Sequence, residues 1–265
     1  MSAQPQSPQD EGESEFSINW LDDGAVFTIT RMRKLNALTK PVLNGLAACL
    51  DRLETEGKTL LVVTGKGDRA FCAGTDLAEM QSMTPDAVLD KSAMARDLLV
   101  RLSRSRLISV AAVNGLALGG GMELAMACTL RIAVPHARFG LPEVKLGLLP
   151  AYAGTQFLPA IVGASRALEI MLTGRDISLD EALVIGLAHR VTEPEENLVE
   201  AGIGFAREIT QHSPTAIAAI RECLTAASTT VEDKGLAVED RLVRAVFPGP
   251  EAKAGVAAFL GRKKT

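Results

Sequence analysis

The sequence is short of aromatic rings, of paired cysteines and of any excess of positive charge. Of its 265 residues only 4% are aromatic, with one tryptophan, Trp20, and one tyrosine, Tyr152. A core must therefore be built from Ala, Leu, Val, Ile and Met; the 47% share of hydrophobic residues supplies it and excludes wholesale disorder. Four cysteines, Cys49, Cys72, Cys128 and Cys223, stand singly. Without a CxxC pair, neither a structural zinc site nor a disulfide framework is expected, and a reduced, cytoplasmic setting fits. The three histidines, His136, His189 and His212, lack metal-ligand spacing and are expected to be structural or superficial. Lys and Arg total 28 against 32 Asp and Glu, a formal charge of −4, which argues against a general nucleic-acid binder. No apolar run reaches the ~18 residues of a membrane span. The first 15 residues, rich in Gln, Ser, Pro and acids, lack the features of a signal or transit peptide and read as a disordered tail.

What is present is an alternation of strand and helix signals. Strands are predicted at 25–30, 60–63, 108–113 and 130–134, and helices at about 39–56, 85–105 and 120–128. The first helix carries Leu43, Leu46, Ala47, Leu50 and Leu53 at helical spacing. This order predicts an α/β fold with parallel strands. Beyond Phe157 helices dominate, at 164–173, 179–186, 195–211, 215–227, 232–246 and 250–260, with Pro194 and Pro214 placed as helix starters. The expected organisation is a tail at 1–15, an α/β core at 16–195 and a C-terminal helical region at 196–265.

Two loops share one design. Ala70-Phe71-Cys72-Ala73-Gly74-Thr75-Asp76-Leu77 and Val113-Asn114-Gly115-Leu116-Ala117-Leu118-Gly119-Gly120-Gly121 each follow an apolar strand and end near a helix start. Small residues let a ligand approach backbone, and the first N–H groups of a helix are free to donate. Two such donors converging on one oxygen would form an oxyanion hole; from glycine content alone, tight turns or close packing are the plainer explanation. No P-loop, GxGxxG or GxSxG pattern is present. Two carboxylates stand out, Glu123 in the turn after the glycine triplet and Glu143 after Pro142. A carboxyl pair at a dry site can divide acid and base work. By spacing alone, complementing a helix dipole and lying on the surface remain open for them.

Several strings in register resemble the enoyl-CoA hydratase/isomerase (crotonase) family: Leu35-Asn36-Ala37-Leu38, the segments 71–76, 113–128 and 137–150, and Leu172-Thr173-Gly174 with the helix after it. The resemblance spans all but the N-terminal tail. It implies a crotonase (ClpP-like) fold of repeated ββα units with a C-terminal helical oligomerisation region, assembled as a homotrimer or hexamer. It implies an acyl-CoA thioester as substrate, with no separate cofactor, and an oxyanion hole at the backbone N–H groups of Thr75 and Gly120. Family members that hydrate 2-enoyl-CoA keep two glutamates. Glu123 and Glu143 match them, with Glu143 as proton donor to the α-carbon and Glu123 as the group that positions water. A Δ3–Δ2 isomerase, or a hydratase of a branched or specialised acyl-CoA, is the alternative; a silent paralogue is disfavoured by retention of both glutamates.

By the same resemblance Arg33, Lys34, Leu35, Ala73, Phe259 and Arg262 border coenzyme A, with Arg31, Lys263 and Lys264 adding local positive charge for a polyanion. Leu77, Met80, Leu118, Pro150, Ala151 and Tyr152 are assigned to the acyl pocket or water loop. Cys72 is read as packing. The helix at 39–56 mixes Asp51, Arg52, Glu54 and Glu56 and does not fit RNA. The family's P-G-x-G-G-T-Q run here reads Pro150-Ala151-Tyr152-Ala153-Gly154-Thr155-Gln156. Ala151 is expected to strain the loop if a positive φ is needed there, and Tyr152 either crowds the pocket or packs outward.

Overall fold

The computed structural model describes residues 14–227 and 233–261. In chain order the elements are β1 (Phe16–Trp20), β2 (Gly24–Ile29), α1 (Lys40–Thr55), β3 (Leu60–Gly65), β4 (Ala70–Cys72), α2 (Leu77–Ser82), α3 (Pro85–Arg104), β5 (Ile108–Val113), β6 (Leu116–Leu118), α4 (Gly120–Ala127), β7 (Leu130–Ala133), β8 (Arg138–Gly140), α5 (Gly154–Val162), α6 (Ala164–Thr173), β9 (Ile177–Ser178), α7 (Leu179–Val184), β10 (Arg190–Val191), α8 (Leu198–Thr210), α9 (Pro214–Ala227), α10 (Asp233–Val246) and α11 (Pro250–Gly261). Two sheets result, β1-β2-β3-β5-β7-β10 and β4-β6-β8-β9. Each turn of the chain lays a long strand in the first sheet, a short one in the second, and then a helix: β3-β4-α2, β5-β6-α4, β7-β8-α5.

The period-2 geometry of the strands explains the core. Phe27, Ile29, Leu61, Val63, Ala111 and Val113 point into one apolar cluster beneath α1, α3 and α4. Their alternates Val26, Leu60, Val62, Ile108, Val110 and Ala112 point to the other face, where Ile203 and Ala206 of α8 cover them. Parallel strands buried on both faces read as continuous apolar runs, which is why β3 and β5 were visible in the sequence. Absent from the sequence reading were β1, which pairs antiparallel to β2, every strand of the second sheet, β4, β6, β8 and β9, and β10; all but β1 span only two or three residues, too short to show a period. The ring of Phe16 stacks on Phe27 at 5.2 Å and lies on Gly45 of α1. Glu15 accepts the N–H of Thr30 through its carbonyl and the hydroxyl of Thr39 through its carboxylate, so Ser14 and Glu15 extend the β1 edge. The helix expected to start at 195 starts at Leu198, capped by Asn197, and leaves Pro194 in the preceding turn. No helix among the described residues is long and apolar enough to cross a membrane.

Backbone approach sets the glycine pattern. A Cβ on Gly121 would lie 2.0 Å from the Cys72 carbonyl oxygen, because α4 starts directly against the end of β4. Gly204, in α8, faces open space. Gly121→Ala is expected to lower stability by about 1–3 kcal/mol through overpacking, and Gly204→Ala to raise it by about 1 kcal/mol through helix propensity. Thermal denaturation of the two variants reads the opposite signs.

Candidate active site

The three parallel strands β4, β6 and β8 lie side by side in the second sheet, so their C-terminal ends meet at one edge. That edge receives Gly74-Thr75 from β4, Gly119-Gly120 from β6 and Pro142-Glu143 from β8. Gly74 and Gly119 take φ of +98° and +52°, a region that an L side chain rarely enters. A Cβ on Gly74 would sit 3.3 Å from the Gly120 nitrogen, which shows how closely the two loops approach. Gly120 opens α4, where helix geometry leaves the first N–H groups without intrahelical partners. Among the described residues no backbone carbonyl takes the N–H of Thr75 or of Gly120.

Glu123 lies in the first turn of α4, a helix buried along its whole length, and is only 1% exposed. Its Oε1 accepts the N–H groups of Tyr152 at 2.8 Å and Gly154 at 2.7 Å. Burial, and then the neighbouring Glu143 and Glu239, push its carboxyl well above the usual carboxylate range, against the pull of those two N–H groups. Glu143 begins a short 3-10 turn, Glu143–Leu146; its Oε1 lies over Gly119, 3.0 Å from where a Cβ would stand. Its buried Oε2 has no hydrogen-bond partner, and burial pushes the carboxyl up to about 7.

Both glutamates line a cavity of about 90 Å³ together with Ala73, Thr75, Leu77, Met80, Lys91, Gly120, Ala151 and Tyr152. A neighbouring apolar cavity of about 220 Å³ shares Met80, Val88, Leu148 and Phe247 with it and runs on to Ala252 and Val256 of α11. Leu118 and Pro150 line neither cavity. Met32–Lys34 forms an exposed 3-10 turn that presents Arg33 and Lys34. It sits beside β4, because the Ala73 N–H donates to the Leu35 carbonyl at 3.0 Å. Arg31 turns inward instead and is spent on Asp76 at 2.8 Å and the Ala37 carbonyl at 2.7 Å, so it does not join the exposed basic turn. Phe259 is on α11 and 38% exposed; Arg262, Lys263 and Lys264 lie outside the described residues. Cys72 is fully buried, with its thiol pushed up to about 12 by burial, as a packing residue would be. His189 Nδ1 accepts the Arg131 N–H, and His136 meets the Asp68 carbonyl. Among the described residues no cluster of His, Cys, Asp and Glu is arranged to hold a metal ion.

One feature differs from the sequence reading, and another settles an alternative it left open. The positive φ falls on Ala153, at +75°, and not on Ala151. The strained residue is held by its N–H, which donates to the Glu239 carboxylate at 3.0 Å, while Thr155 donates to the other Glu239 oxygen. Tyr152 turns inward: it is 5% exposed, its hydroxyl donates to Thr75 Oγ1 at 3.0 Å, and its ring lies against Gly120. Three groups had no sequence signal: Glu239 of α10, Phe247 just after it, and Lys91, which is 2% exposed inside α3. A charged residue on an amphipathic helix reads as solvated until the neighbouring elements are placed.

The family model for enoyl-CoA hydratase/isomerase matches residues 23–265. The short-chain-enoyl-CoA hydratase of Clostridium acetobutylicum is 36% identical over 241 residues, covering 91% of this chain and 92% of that protein. The crotonyl-CoA hydratase of Syntrophomonas wolfei is 35% identical over 241 residues, covering 91% and 92%. Among solved structures, the enoyl-CoA hydratase of Bacillus anthracis superposes with a TM-score of 0.76 at 31% identity, covering 94% of this chain and 96% of that one. With a ββα repeat, paired glycine loops and two glutamates lining one cavity, the chain belongs to the enoyl-CoA hydratase/isomerase family.

Proposed function

We propose that this protein is an enzyme that hydrates 2-trans-enoyl-CoA to 3-hydroxyacyl-CoA by syn addition of water. The observation that carries the reading is the buried, unpartnered Oε2 of Glu143 in the cavity that also holds Glu123. Two carboxyls in one dry site do not both ionise readily, so near neutral pH the pair keeps one proton. Two N–H bonds favour the anion on Glu123, whereas Glu143 has no donor to stabilise a charge on Oε2. Glu143 therefore holds the proton and delivers it to the α-carbon. Glu123 orients the water and takes its proton as the water oxygen bonds to the β-carbon. The electron pair of the double bond passes toward the thioester oxygen, which the N–H groups of Thr75 and Gly120 hold as it gains charge. Returning the proton from Glu123 to Glu143 resets the pair, and water is the only addition to the substrate.

The exposed turn with Arg33 and Lys34, beside Leu35 and Ala73, suits the phosphates of coenzyme A, with Phe259 and Arg262 as further contacts. The adjoining apolar cavity suits the acyl chain. Leu168, Leu172 and Val184 stand exposed on α6 and α7, as do Ile220 and Leu224 on α9, which supports assembly as a trimer or paired hexamer. The free thiols of Cys49, Cys72 and Cys128 suit a reducing, cytoplasmic compartment.

Loss of crotonyl-CoA absorbance is expected with the wild type, and Glu123→Gln and Glu143→Gln are each expected to lower kcat by about 10²–10⁴-fold. Binding without absorbance loss, or isomerisation of a 3-enoyl-CoA with no hydration, contradicts the reading. The profile of kcat/KM against pH is expected to be bell-shaped, its alkaline limb falling near pH 7 as Glu143, the proton donor, ionises. The same group sets stability. A carboxyl whose folded value is raised above its unfolded 4.5 gives stability that is complete below 4.5 and lost as pH rises through about 7. Glu143→Gln removes that loss, so its stability relative to wild type is expected to rise between those limits by on the order of 3 kcal/mol, read by denaturant titration.

A further inference from the structure

Lys91 has no part in the hydration chemistry above, yet its ammonium is buried beside the donors of the thioester oxygen. Burying an ammonium is costly unless every N–H is used. Its three N–H groups go to the Leu38 carbonyl at 3.0 Å, to Thr75 Oγ1 at 3.0 Å and to the Glu79 carboxylate. Leu38 is itself the neighbouring backbone of the Thr75 loop: its N–H donates to Gly74 at 2.8 Å, and its carbonyl accepts Asp76 N–H at 3.0 Å. Lys91 thus grips the Thr75 peptide twice, through its side chain and through its backbone neighbour.

Thr75 Oγ1 also receives the Tyr152 hydroxyl at 3.0 Å. With one N–H and one O–H donated to it, the Thr75 oxygen is filled, and its own hydrogen is the one left to give. The Tyr152 ring spans from there to Gly120, where a Cβ would meet it at 2.9 Å. One cluster therefore braces both loops that carry the converging N–H groups. The neighbouring charges are paired. Asp76 faces Arg31 at 2.8 Å and caps α2, and Glu79 balances Lys91 from a position 25% exposed. The positive end of the Lys91–Glu79 pair is the buried end, on the Thr75 side.

We propose that Lys91, with Tyr152, is a positioning residue of the oxyanion hole, acting through Thr75: it fixes the Thr75 peptide and sets a buried positive charge behind it, where the thioester oxygen gains negative charge. This rests on the hydratase reading and adds the group that energises its backbone donors. The interaction strengthens as the oxygen becomes anionic, so its loss falls on kcat and spares KM.

The test combines kinetics with infrared difference spectroscopy of bound butyryl-CoA, carbon-13 labelled at the thioester carbon; this saturated thioester is not hydrated. In the wild type the carbonyl stretch is expected to move to lower frequency on binding. Lys91→Met is expected to lower kcat by ~10–100-fold with KM changed by less than ~3-fold, and to return the stretch part of the way to its free value. Thr75→Val and Tyr152→Phe, which keep the backbone donors and the ring, are expected to show smaller shifts in the same direction, and Thr75→Ser to recover most of what Thr75→Val loses. Wild-type kcat and stretch in Lys91→Met overturn the proposal. If that variant does not fold, the same result in both Thr75→Val and Tyr152→Phe overturns it. A wild type that binds butyryl-CoA with an unmoved stretch overturns the oxyanion hole itself, a different failure from that of Lys91 alone.

Discussion

Two carboxyl groups enclosed in one small cavity constrain everything around them. Glu123 and Glu143 share a site too dry for two charges, and a third carboxylate, Glu239, raises the cost further. Such a site exists only if the surrounding structure supplies oriented dipoles in place of water. The chain does this with backbone. The N–H groups of residues 152 and 154 are turned onto Glu123, and that of residue 153 onto Glu239. A run of three peptides is thereby divided between two buried acids, and the left-handed turn at Ala153 is what allows the division.

The fold makes this economical. Three adjacent parallel strands end on one edge and deliver Thr75, Gly120 and Glu143 without a long loop. The helix that starts at Gly120 carries Glu123 within its first turn, so the free N–H of Gly120 and the Glu123 carboxyl are set by a single rigid element. From the far side, α3 and α10 supply Lys91 and Glu239, joined to each other through Arg96 and Asp240 at 3.0 Å. The C-terminal helices are thus tied to the candidate site and do more than cover the sheet.

The sequence carried the parts of this that depend on local pattern. Apolar runs at 60–63 and 108–113 mark strands buried on both faces, and the stripe of α1 marks a helix, because those signals come from one element meeting a core. The glycine loops and two glutamates were visible as residues, but it was the resemblance of several strings in register that joined them; spacing alone left a helix-dipole role and a surface role open. What depends on tertiary placement was not legible. Nothing in the run 150–156 says which alanine takes the positive φ, since Glu239, which stabilises it, is 86 residues away. Nor does a lysine among the polar residues of α3 announce that its helix turns it inward onto Leu38 and Thr75. Tyr152 offered two orientations, and the inward one is fixed by a hydroxyl 77 residues distant.

The central claim is that one thioester oxygen is held by two peptide N–H groups while two glutamates face the adjoining carbons. A crystal structure of the protein with 3-hydroxybutyryl-CoA measures this directly. The account predicts the thioester oxygen within about 2.7–3.1 Å of both the Thr75 and Gly120 nitrogens, the α-carbon facing Glu143 and the β-hydroxyl on Glu123. A ligand whose thioester oxygen is held elsewhere, with Tyr152 filling the space between those two nitrogens, would contradict it.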